Sequence, residues 1–264
     1  MLYWYQTLTA RRGEEQDGKP TEDWGKRETR MNNNPVLEKV RGGLVVSCQA
    51  LSTEPLHSSK IMARMAFAAK EGGAVGIRAN SPEDIAEIKR TVDLPVIGLW
   101  KVDYPDSDVY ITPTMKEVDA LVGVGADIIA LDATKRLRPG GRTLADFFAE
   151  ARKKYPRQLF MADTSCYEEG VAAEKLGFHL VGTTMAGYTE YTRGTPLPAF
   201  GLMKQYVDTL GVPVAAEGGI WTPGQLQKAY GLGVWTAIVG TAITRPREIT
   251  RRFVNALGKE AANG

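Results

Sequence analysis

The chain has 264 residues, of which 43% are hydrophobic and 24% are charged, which is the composition of a globular protein rather than a disordered or fibrous one. Its 33 basic and 31 acidic side chains leave a net charge of +2, which is too balanced for a typical nucleic-acid or membrane-surface binder. Two cysteines argue against a disulfide framework, and no run approaches the ~18 apolar residues of a membrane span. We therefore expect a cytoplasmic protein.

The first 34 residues differ from the rest of the chain. From Arg11 to Asn34 the sequence is polar and charged, lacks sustained periodicity, and closes on three asparagines and a proline. We predict a disordered or loosely packed extension over residues 1–34 and one folded domain over residues 35–264. Arg11 and Arg12 follow the apolar start of the chain, which is the wrong order for a secretory signal.

From residue 44 onward, one unit repeats along the chain. A helical segment ends at a glycine, a short apolar run follows, and a polar or glycine-containing loop leads to the next helix. Glycine just past a helix end readily adopts the left-handed conformation, and short apolar runs suit parallel strands that are buried on both faces. The pattern predicts eight strands, at residues 44–48, 74–78, 96–100, 127–131, 159–162, 178–182, 213–216 and 236–239.

The starts of the predicted helices are marked as well. Segments 114–117, 165–168 and 222–225 fit the capping box, in which side chains accept hydrogen bonds from free backbone N–H groups. Pro82 and Pro223 occupy first helical positions, where the missing N–H is not needed. Eight strand–helix units predict an α/β fold, a single (β/α)8 TIM barrel, which takes ~250 residues. An open doubly wound sheet is disfavoured because no glycine-rich turn follows the first predicted strand.

Polar residues follow nearly every predicted strand, at the points where a barrel carries its chemistry. A charged side chain there must be paired or must face a polar pocket, because burying it alone is costly. One interpretation is a ring of internal salt bridges; the other is an active site, where perturbed ionisable groups gather. The candidates in chain order are Gln49, Arg78, Lys101, Asp132, Asp163, Thr183, Thr184, Glu217 and Arg245.

Small residues end the last two predicted strands. Glycine lets a backbone N–H group approach an anion closely, and these two strands carry the phosphate site of many barrels. We therefore predict a barrel of the phosphate-binding type. The residues expected at the phosphate are Gly218, Gly219, Gly240 and Thr241.

The sequence predicts no metal site and no cofactor. His57 and His179 are the only histidines, and they lie far apart in the predicted fold, whereas a catalytic cation is usually held by a His and carboxylate cluster. We expect both to be structural. Cys48 and Cys166 have no histidine beside them in the sequence, so we expect buried, unreactive thiols.

Several motifs are long enough to identify a family. They are VVSCQAL at 45–51, EPLHSS at 54–59, AVGIRA at 74–79, YITPT at 110–114, ALDATKR at 130–136, GYT at 187–189 and GTAITRP at 240–246. In this order, from about residue 40 to 257, they resemble the N-acetylmannosamine-6-phosphate 2-epimerase family. The first 34 residues have no counterpart in that pattern.

The resemblance implies a dimeric enzyme that interconverts N-acetylmannosamine 6-phosphate and N-acetylglucosamine 6-phosphate in the breakdown of sialic acid and amino sugars. It places the catalytic lysine of the family at Lys101 and its carboxylate partner at Glu217. The sequence departs from the family at Gly219, where relatives often have arginine, and this affects any side-chain contact but not the backbone donors. The sugar-binding residues that the resemblance implies are Gln49, Arg78, Asp163 and Arg245.

The implied reaction removes the C2 proton of the ring-opened sugar and returns it to the other face. A free lysine has a pKa of about 10.4, which desolvation would lower and a nearby Glu217 would raise. The sequence leaves open which effect prevails at Lys101 and which of the two groups is the first base. It also leaves open whether one group serves both faces while a substrate hydroxyl relays the proton.

Two other functions fit part of the pattern. A Schiff-base lyase or aldolase would use Lys101 as a nucleophile. A non-catalytic barrel that binds sugar phosphates would need the arginines but neither Lys101 nor Glu217. The presence of both residues therefore argues against a binding protein without activity.

Overall fold

The structure is a computed structural model that describes residues 34–258. Eight parallel strands form one closed barrel in chain order, with the last strand paired to the first. This arrangement confirms the predicted (β/α)8 TIM barrel. The predicted extension lies outside the described residues, except for Asn34. Between residues 34 and 258, no helix is long and apolar enough to cross a membrane.

The strands are β1 Leu44–Cys48, β2 Gly76–Asn80, β3 Val96–Leu99, β4 Ile128–Asp132, β5 Leu159–Asp163, β6 Leu180–Gly182, β7 Val214–Glu217 and β8 Thr236–Val239. The helices are α1 Pro35–Val40, α2 Ser59–Glu71, α3 Pro82–Thr91, α4 Met115–Gly123, α5 Leu144–Lys154, α6 Tyr167–Leu176, α7 Phe200–Thr209, α8 Pro223–Gly231, α9 Thr241–Thr244 and α10 Pro246–Asn255. Short 3-10 turns cover Pro139–Gly141 and Glu190–Thr192.

Each predicted strand agrees with its observed counterpart to within two residues at either end. The largest differences are two residues: the prediction begins early at β2 and β6, and it ends early at β2. Ala74 and Phe178 are buried there, but they only lead into the strands. An apolar run therefore identifies a buried segment, whereas the first strand residue is set by where inter-strand pairing begins.

Two of the three predicted capping boxes are confirmed, at the starts of α4 and α8. The third is displaced by one residue, because α6 begins at Tyr167 and Glu169, not Glu168, is the capping carboxylate. One oxygen of Glu169 accepts hydrogen bonds from the backbone N–H groups of Ser165, at 2.7 Å, and Cys166, at 3.3 Å. Spacing alone did not distinguish two adjacent glutamates.

Helix α1 packs against one end of the barrel. Leu37 and Val40 belong to the same buried apolar cluster as the strand residues Val45 and Ile128, and the Trp235 side chain donates a 3.0 Å hydrogen bond to the carbonyl of Leu37. A second apolar cluster fills the space between the strands and the surrounding helices. The barrel interior is thus sealed where the strands begin, and the opposite end carries the site.

Candidate active site

A cavity of about 540 Å³ lies at the carboxyl ends of the strands. That volume is typical of a pocket for a small molecule. Its wall combines charged side chains, glycine backbone and a few aromatic rings. The lining residues that matter below are Gln49, Arg78, Lys101, Tyr110, Thr184, Glu217, Gly218, Gly219, Gly240, Thr241 and Arg245.

Arg78 anchors the charged floor of the cavity. Its Nη1 and Nη2 atoms donate to the two carboxylate oxygens of Asp163, at 3.1 and 2.6 Å. Nη1 also lies 3.2 Å from Oε2 of Glu217. Burial alone would lower the pKa of Arg78, but Asp163 and Glu217 outweigh burial and raise it above its usual value. The guanidinium is therefore permanently charged and fixed in direction.

Thr184 joins the two carboxyl groups that flank Arg78. Its hydroxyl oxygen lies 2.7 Å from Oδ1 of Asp163 and 3.0 Å from Oε2 of Glu217. The neighbouring Thr183 is bonded instead to the backbone of Glu217, donating to its carbonyl at 2.8 Å and accepting from its N–H at 3.2 Å. Adjacent threonines after β6 thus hold Glu217 by its backbone and by its carboxyl group.

Burial and the neighbouring Asp163 raise the pKa of Glu217 to about 7, against the lowering influence of Arg78. The side chain is 13% exposed, so it reaches the cavity while most of it is withdrawn from water. A carboxyl group with this pKa is protonated in a large fraction of molecules near neutral pH. Glu217 is therefore suited to both giving and taking a proton.

Lys101 follows β3 and lines the same cavity as Glu217. Within the part of the chain that the structure describes, its ammonium group forms no ion pair within 4.0 Å. Burial, with the positive charges of Arg78 and Arg245, lowers the pKa of Lys101 to about 8. Desolvation thus prevails over Glu217, which answers the question that the sequence left open.

The backbone around Lys101 is held by a returning loop. Lys101 pairs with Ile111 in an antiparallel bridge, and its N–H donates to the side chain of Asn80 at 2.8 Å. Thr112, with φ +48°, accepts a hydrogen bond from the N–H of Trp100 at 3.2 Å through its hydroxyl oxygen and donates to the carbonyl of Ala130 at 2.8 Å. These contacts restrict where the lysine side chain starts.

Arg138 holds that loop in place through hydrogen bonds to its backbone. Its buried guanidinium donates to the carbonyls of Thr112 and Pro113, each at 2.9 Å, and to the carbonyl of Asp132. It lies over the ring of Phe147, with its central carbon 3.9 Å from the ring centroid. Burial lowers the pKa of Arg138 to about 10, a value at which it is still charged near neutral pH.

The opposite side of the cavity offers backbone donors. The N–H groups of Gly218, Gly219 and Gly240 donate to no other group among the residues described. Arg245 lies nearby and is paired with Glu54, with 3.0 Å between Nη2 and Oε1. Three free N–H groups and an arginine form a region that suits a phosphate.

Both the backbone conformation at Gly219 and the neighbouring Leu197 restrict which residue fits at this position. Its φ is +71°, and a side-chain carbon built on it would lie 2.5 Å from Cβ of Leu197. No other residue type fits this backbone without a shift. Leu197 occupies the space that a longer residue at 219 would need.

The structure brings most of the predicted site residues together. Gln49, Arg78, Lys101, Glu217 and Arg245 line the cavity, as do the four residues predicted at the phosphate. Asp163 lies behind Arg78, is fully buried and does not line the cavity.

Asp132, a candidate by its place at a strand end, does not line the cavity. Its side chain is paired with Arg136, with 2.6 Å between Oδ2 and Nη2, and Thr134 donates to its other oxygen at 2.7 Å. The internal salt bridges considered from the sequence therefore exist, but they form two separate groups rather than one ring.

Tyr110, Tyr188, Leu197 and Trp221 also line the cavity and were not predicted as site residues. Tyr110 lies within the YITPT motif, so the resemblance singled out its segment without giving it a role. Burial raises the pKa of Tyr110 to about 12, so its hydroxyl remains protonated and able to donate. Loop residues of this kind have no periodicity that would reveal which way they point.

The histidines and cysteines lie apart from these groups. Nδ1 of His179 accepts a hydrogen bond from the N–H of Phe160, and burial with nearby Arg152 lowers the pKa of His179 to about 4. Burial raises the pKa of Cys48 to about 12 and of Cys166 to about 11, so both thiols stay protonated. No cluster of three or more metal-binding side chains occurs among residues 34–258.

A family model described as "Putative N-acetylmannosamine-6-phosphate epimerase" matches residues 62–259. A relative from Caldanaerobacter subterraneus subsp. tengcongensis, described as "Putative N-acetylmannosamine-6-phosphate 2-epimerase", is 55% identical over 219 residues, which cover 83% of this chain and 92% of the relative. The chain belongs to the N-acetylmannosamine-6-phosphate 2-epimerase family. The resemblance drawn from the motifs is thereby confirmed.

Other members of the family agree. A relative of the same description from Clostridium perfringens strain SM101 is 53% identical over 222 residues, 84% of this chain and all of the relative. A solved structure of the N-acetylmannosamine-6-phosphate 2-epimerase from Clostridium perfringens superposes with a TM-score of 0.81 and 48% identity, covering 92% of this chain and 100% of that one. A thiamine phosphate pyrophosphorylase from Pyrococcus furiosus, 19% identical with a TM-score of 0.54, shares only the fold.

Proposed function

We propose that this chain is an isomerase that interconverts N-acetylmannosamine 6-phosphate and N-acetylglucosamine 6-phosphate by proton transfer at C2. One observation carries the proposal: Lys101 and Glu217 line the same cavity, and their pKa values are displaced toward each other, to about 8 and about 7. Inversion at C2 by two groups uses a base on one face and an acid on the other. Groups whose pKa values lie near neutrality serve both purposes best.

The C2 proton becomes acidic only after the sugar ring opens to the C1 aldehyde. Its removal then produces an enediolate with negative charge on O1. Arg78 is the group best placed to stabilise that charge, because Asp163 and Glu217 fix its guanidinium at the cavity floor. Preorganised charge of this kind stabilises a transition state more in a buried site than in water. In this proposal Asp163 acts through Arg78 rather than by touching the sugar.

The rest of the cavity suits the remaining groups of the substrate. We assign the phosphate to the free N–H groups of Gly218, Gly219 and Gly240, with Thr241 and Arg245 beside them. Gln49 donates to the hydroxyl of Ser47 at 2.8 Å, while its carbonyl oxygen is buried and has no partner within residues 34–258. A hydroxyl or amide N–H of the sugar would satisfy that oxygen.

The setting of the reaction belongs to the same proposal. We place it in the cytoplasm and in the breakdown of amino sugars, including sialic acid, with a sugar phosphate as the partner and neither nucleic acid nor membrane involved. A homodimer is proposed because Phe253 and Leu257, on and just after α10, are each 73% exposed. Exposed apolar side chains this large are typical of contact surfaces.

The deciding experiment is to incubate the purified protein with N-acetylmannosamine 6-phosphate in heavy water and to follow C2 by NMR. Deuterium should enter C2 as the epimer forms. Lys101→Ala should abolish both events while retaining binding of the sugar phosphate, and Lys153→Ala, at an exposed position of α5, should behave as the wild type. Wild-type turnover in Lys101→Ala would disprove the assignment of the lysine.

The same samples test the two rival functions. A Schiff-base lyase or aldolase would form an adduct on Lys101 that borohydride traps, whereas epimerisation gives C2 exchange without an adduct. A binding protein without activity would show neither. We expect exchange, and no trapped lysine, in the wild type.

A further inference from the structure

Thr184 makes two hydrogen-bond contacts, but its hydroxyl group has only one hydrogen. Its hydroxyl oxygen is within hydrogen-bond distance of a carboxyl oxygen on each side, 2.7 Å from Asp163 and 3.0 Å from Glu217. A threonine hydroxyl has one hydrogen to donate and two lone pairs to accept with. It can therefore donate to only one of the two carboxyl groups at a time.

The second contact needs a hydrogen from elsewhere. If both carboxyl groups were ionised, one of them would place a negative oxygen against a lone pair of the hydroxyl in a buried site, which is unfavourable. If one carboxyl group carries a proton, it donates to Thr184, and Thr184 donates to the other. Both contacts are then hydrogen bonds, and the group of side chains holds one additional proton.

The surrounding charges decide which carboxyl group carries that proton. Asp163 accepts hydrogen bonds from Arg78 on both of its oxygens, so each of them already faces a donor. Glu217 meets Arg78 through a single oxygen at 3.2 Å. The charged groups that face Glu217 are Arg78, Asp163 and Lys101, on or after β2, β5 and β3. Among residues 34–258, only one fixed positive charge is in direct contact with the two carboxyl groups.

We propose that Thr184 is a positioning residue that stabilises the protonated form of Glu217 in the resting site, accepting a hydrogen bond from Glu217 while donating its own to Asp163. The raised pKa of Glu217 is consistent with this arrangement. Resting on the proposed function, the arrangement makes Glu217 the proton donor to C2 and neutral Lys101 the base in the first half-reaction. This pair is the smaller share of the singly protonated site, because the pKa of Lys101, about 8, lies above that of Glu217, about 7.

The proton transfer balances: one turnover leaves Lys101 protonated and Glu217 ionised, and proton exchange with solvent water restores the starting pair. Lys101 takes the C2 proton, and the electron pair of that C–H bond moves into the enediolate. On the other face the enediolate uses an electron pair to form the new C2–H bond with the carboxyl proton of Glu217, whose O–H bond breaks. Thr184 then turns its hydrogen from Asp163 to the newly ionised Glu217. The hydroxyl thus stabilises both states of the carboxyl group in turn.

The direction in which the pKa of Glu217 changes when Thr184 is replaced tests the proposal. In the protonated state, Thr184 contributes two hydrogen bonds; in the ionised state it contributes one. Replacing it by isosteric valine should therefore lower the pKa of Glu217. If Thr184 only donated to ionised Glu217, the same replacement would raise that pKa.

The measurement is an infrared titration of the substrate-free protein, in which a protonated carboxyl group has its own C=O stretch. The wild type should show such a band that disappears through pH 7 and is absent from Glu217→Gln. Its midpoint should move to lower pH in Thr184→Val and remain unchanged in Thr184→Ser. Thr183→Val is the matched control, because Thr183 contacts only the backbone of Glu217, and its midpoint should not move.

The kcat and KM of Thr184→Val provide a second test. Thr184→Val should lower kcat roughly tenfold or more, with KM changed far less, because the proton donor is affected rather than sugar binding. An unchanged or raised midpoint in Thr184→Val would overturn the proposal. The absence of a Glu217-dependent band in the wild type would also overturn it, and this second test does not depend on whether a Thr184 variant folds. Because the titration uses no substrate, its result stands apart from that of the deuterium experiment.

Discussion

Arg78 and Asp163 meet through two parallel hydrogen bonds, of 3.1 and 2.6 Å, although 85 residues separate them in the chain. Their side chains are 1% and 0% exposed, so water does not compete for either charge. A planar guanidinium paired at two points has one orientation available to it. The direction in which Arg78 faces the cavity is thus decided by a residue that does not line it.

Removal of the Asp163 charge should destabilise the fold. Asp163→Asn leaves Arg78 buried with Glu217 as its only carboxylate contact among the residues described, and loss of one partner of a buried pair costs about 3 kcal/mol. Urea unfolding of the wild type and the variant measures this difference. The partly exposed pair of Arg142 and Glu150, with 2.6 Å between Nη1 and Oε2, supplies the control: Glu150→Gln should change stability by about 1 kcal/mol or less. Equal losses in both variants would contradict the special role of the buried pair.

The pH profile of kcat/KM should be bell-shaped, with its maximum between about 7 and 8. Its limbs report the free enzyme, in which the pKa of Glu217 is raised to about 7 and that of Lys101 is lowered to about 8. Activity requires one proton on the pair, so it falls about tenfold per pH unit below 7, where both groups are protonated, and above 8, where neither is.

Initial rates from pH 5 to 10 measure this profile. The second ionisation of the substrate phosphate, at about pH 6, is a separate event. A phosphorus NMR titration of the free substrate allows the profile to be corrected for it. Glu217→Gln should remove the carboxyl limb together with most of the activity. A profile that stays flat between pH 6 and 9 would be incompatible with Lys101 and Glu217 as the reacting pair.

Gly219→Ala should weaken binding of the phosphorylated sugar. The added carbon would lie 2.5 Å from Cβ of Leu197 on a backbone with φ +71°, so the loop that carries the N–H donors must shift. We expect KM to rise roughly tenfold, equivalent to about 1.4 kcal/mol. Gly231→Ala is the control, because that position in α8 has open space around it and should gain about 0.5–1 kcal/mol of stability.

Arg138→Leu should unfold more readily than the wild type. The change leaves the carbonyls of Thr112, Pro113 and Asp132 without their donor, and each unsatisfied buried group costs about 1–3 kcal/mol. A loss of about 3 kcal/mol or more is expected in thermal or urea unfolding. Arg142→Leu removes a second arginine near the same Phe147 ring, at 5.7 Å and half-buried, and should cost far less. Similar losses would mean that ring stacking, not the carbonyl contacts, is what matters.

The fold could be predicted from the sequence because the features that mark the helices and strands are local. Glycines that end helices, prolines and capping residues that begin them, and apolar runs for buried strands each act over a few residues. Those signals located eight strands to within two residues at either end. They were less accurate where two residues compete for one local role, as Glu168 and Glu169 do at the start of α6.

The sequence predicted which residues form much of the candidate site, but not how their side chains are arranged. Strand ends identified Arg78, Lys101 and Glu217, because a charged residue directly after a buried strand needs either an ionic partner or a polar pocket. Asp132 met the same criterion and is paired elsewhere, with Arg136. Tyr110 lies in a returning loop, where no periodicity indicates the direction of a side chain.

The sequence by itself determined that this chain folds into a (β/α)8 barrel of the N-acetylmannosamine-6-phosphate 2-epimerase family, and which residues end its strands. Only the tertiary structure decided that Asp163 fixes Arg78, that Thr184 joins two carboxyl groups, and that desolvation lowers the pKa of Lys101. Helices and strands follow from interactions over a few residues. Ion pairing and desolvation depend on barrel closure, which brings together side chains far apart in the chain and removes water from between them.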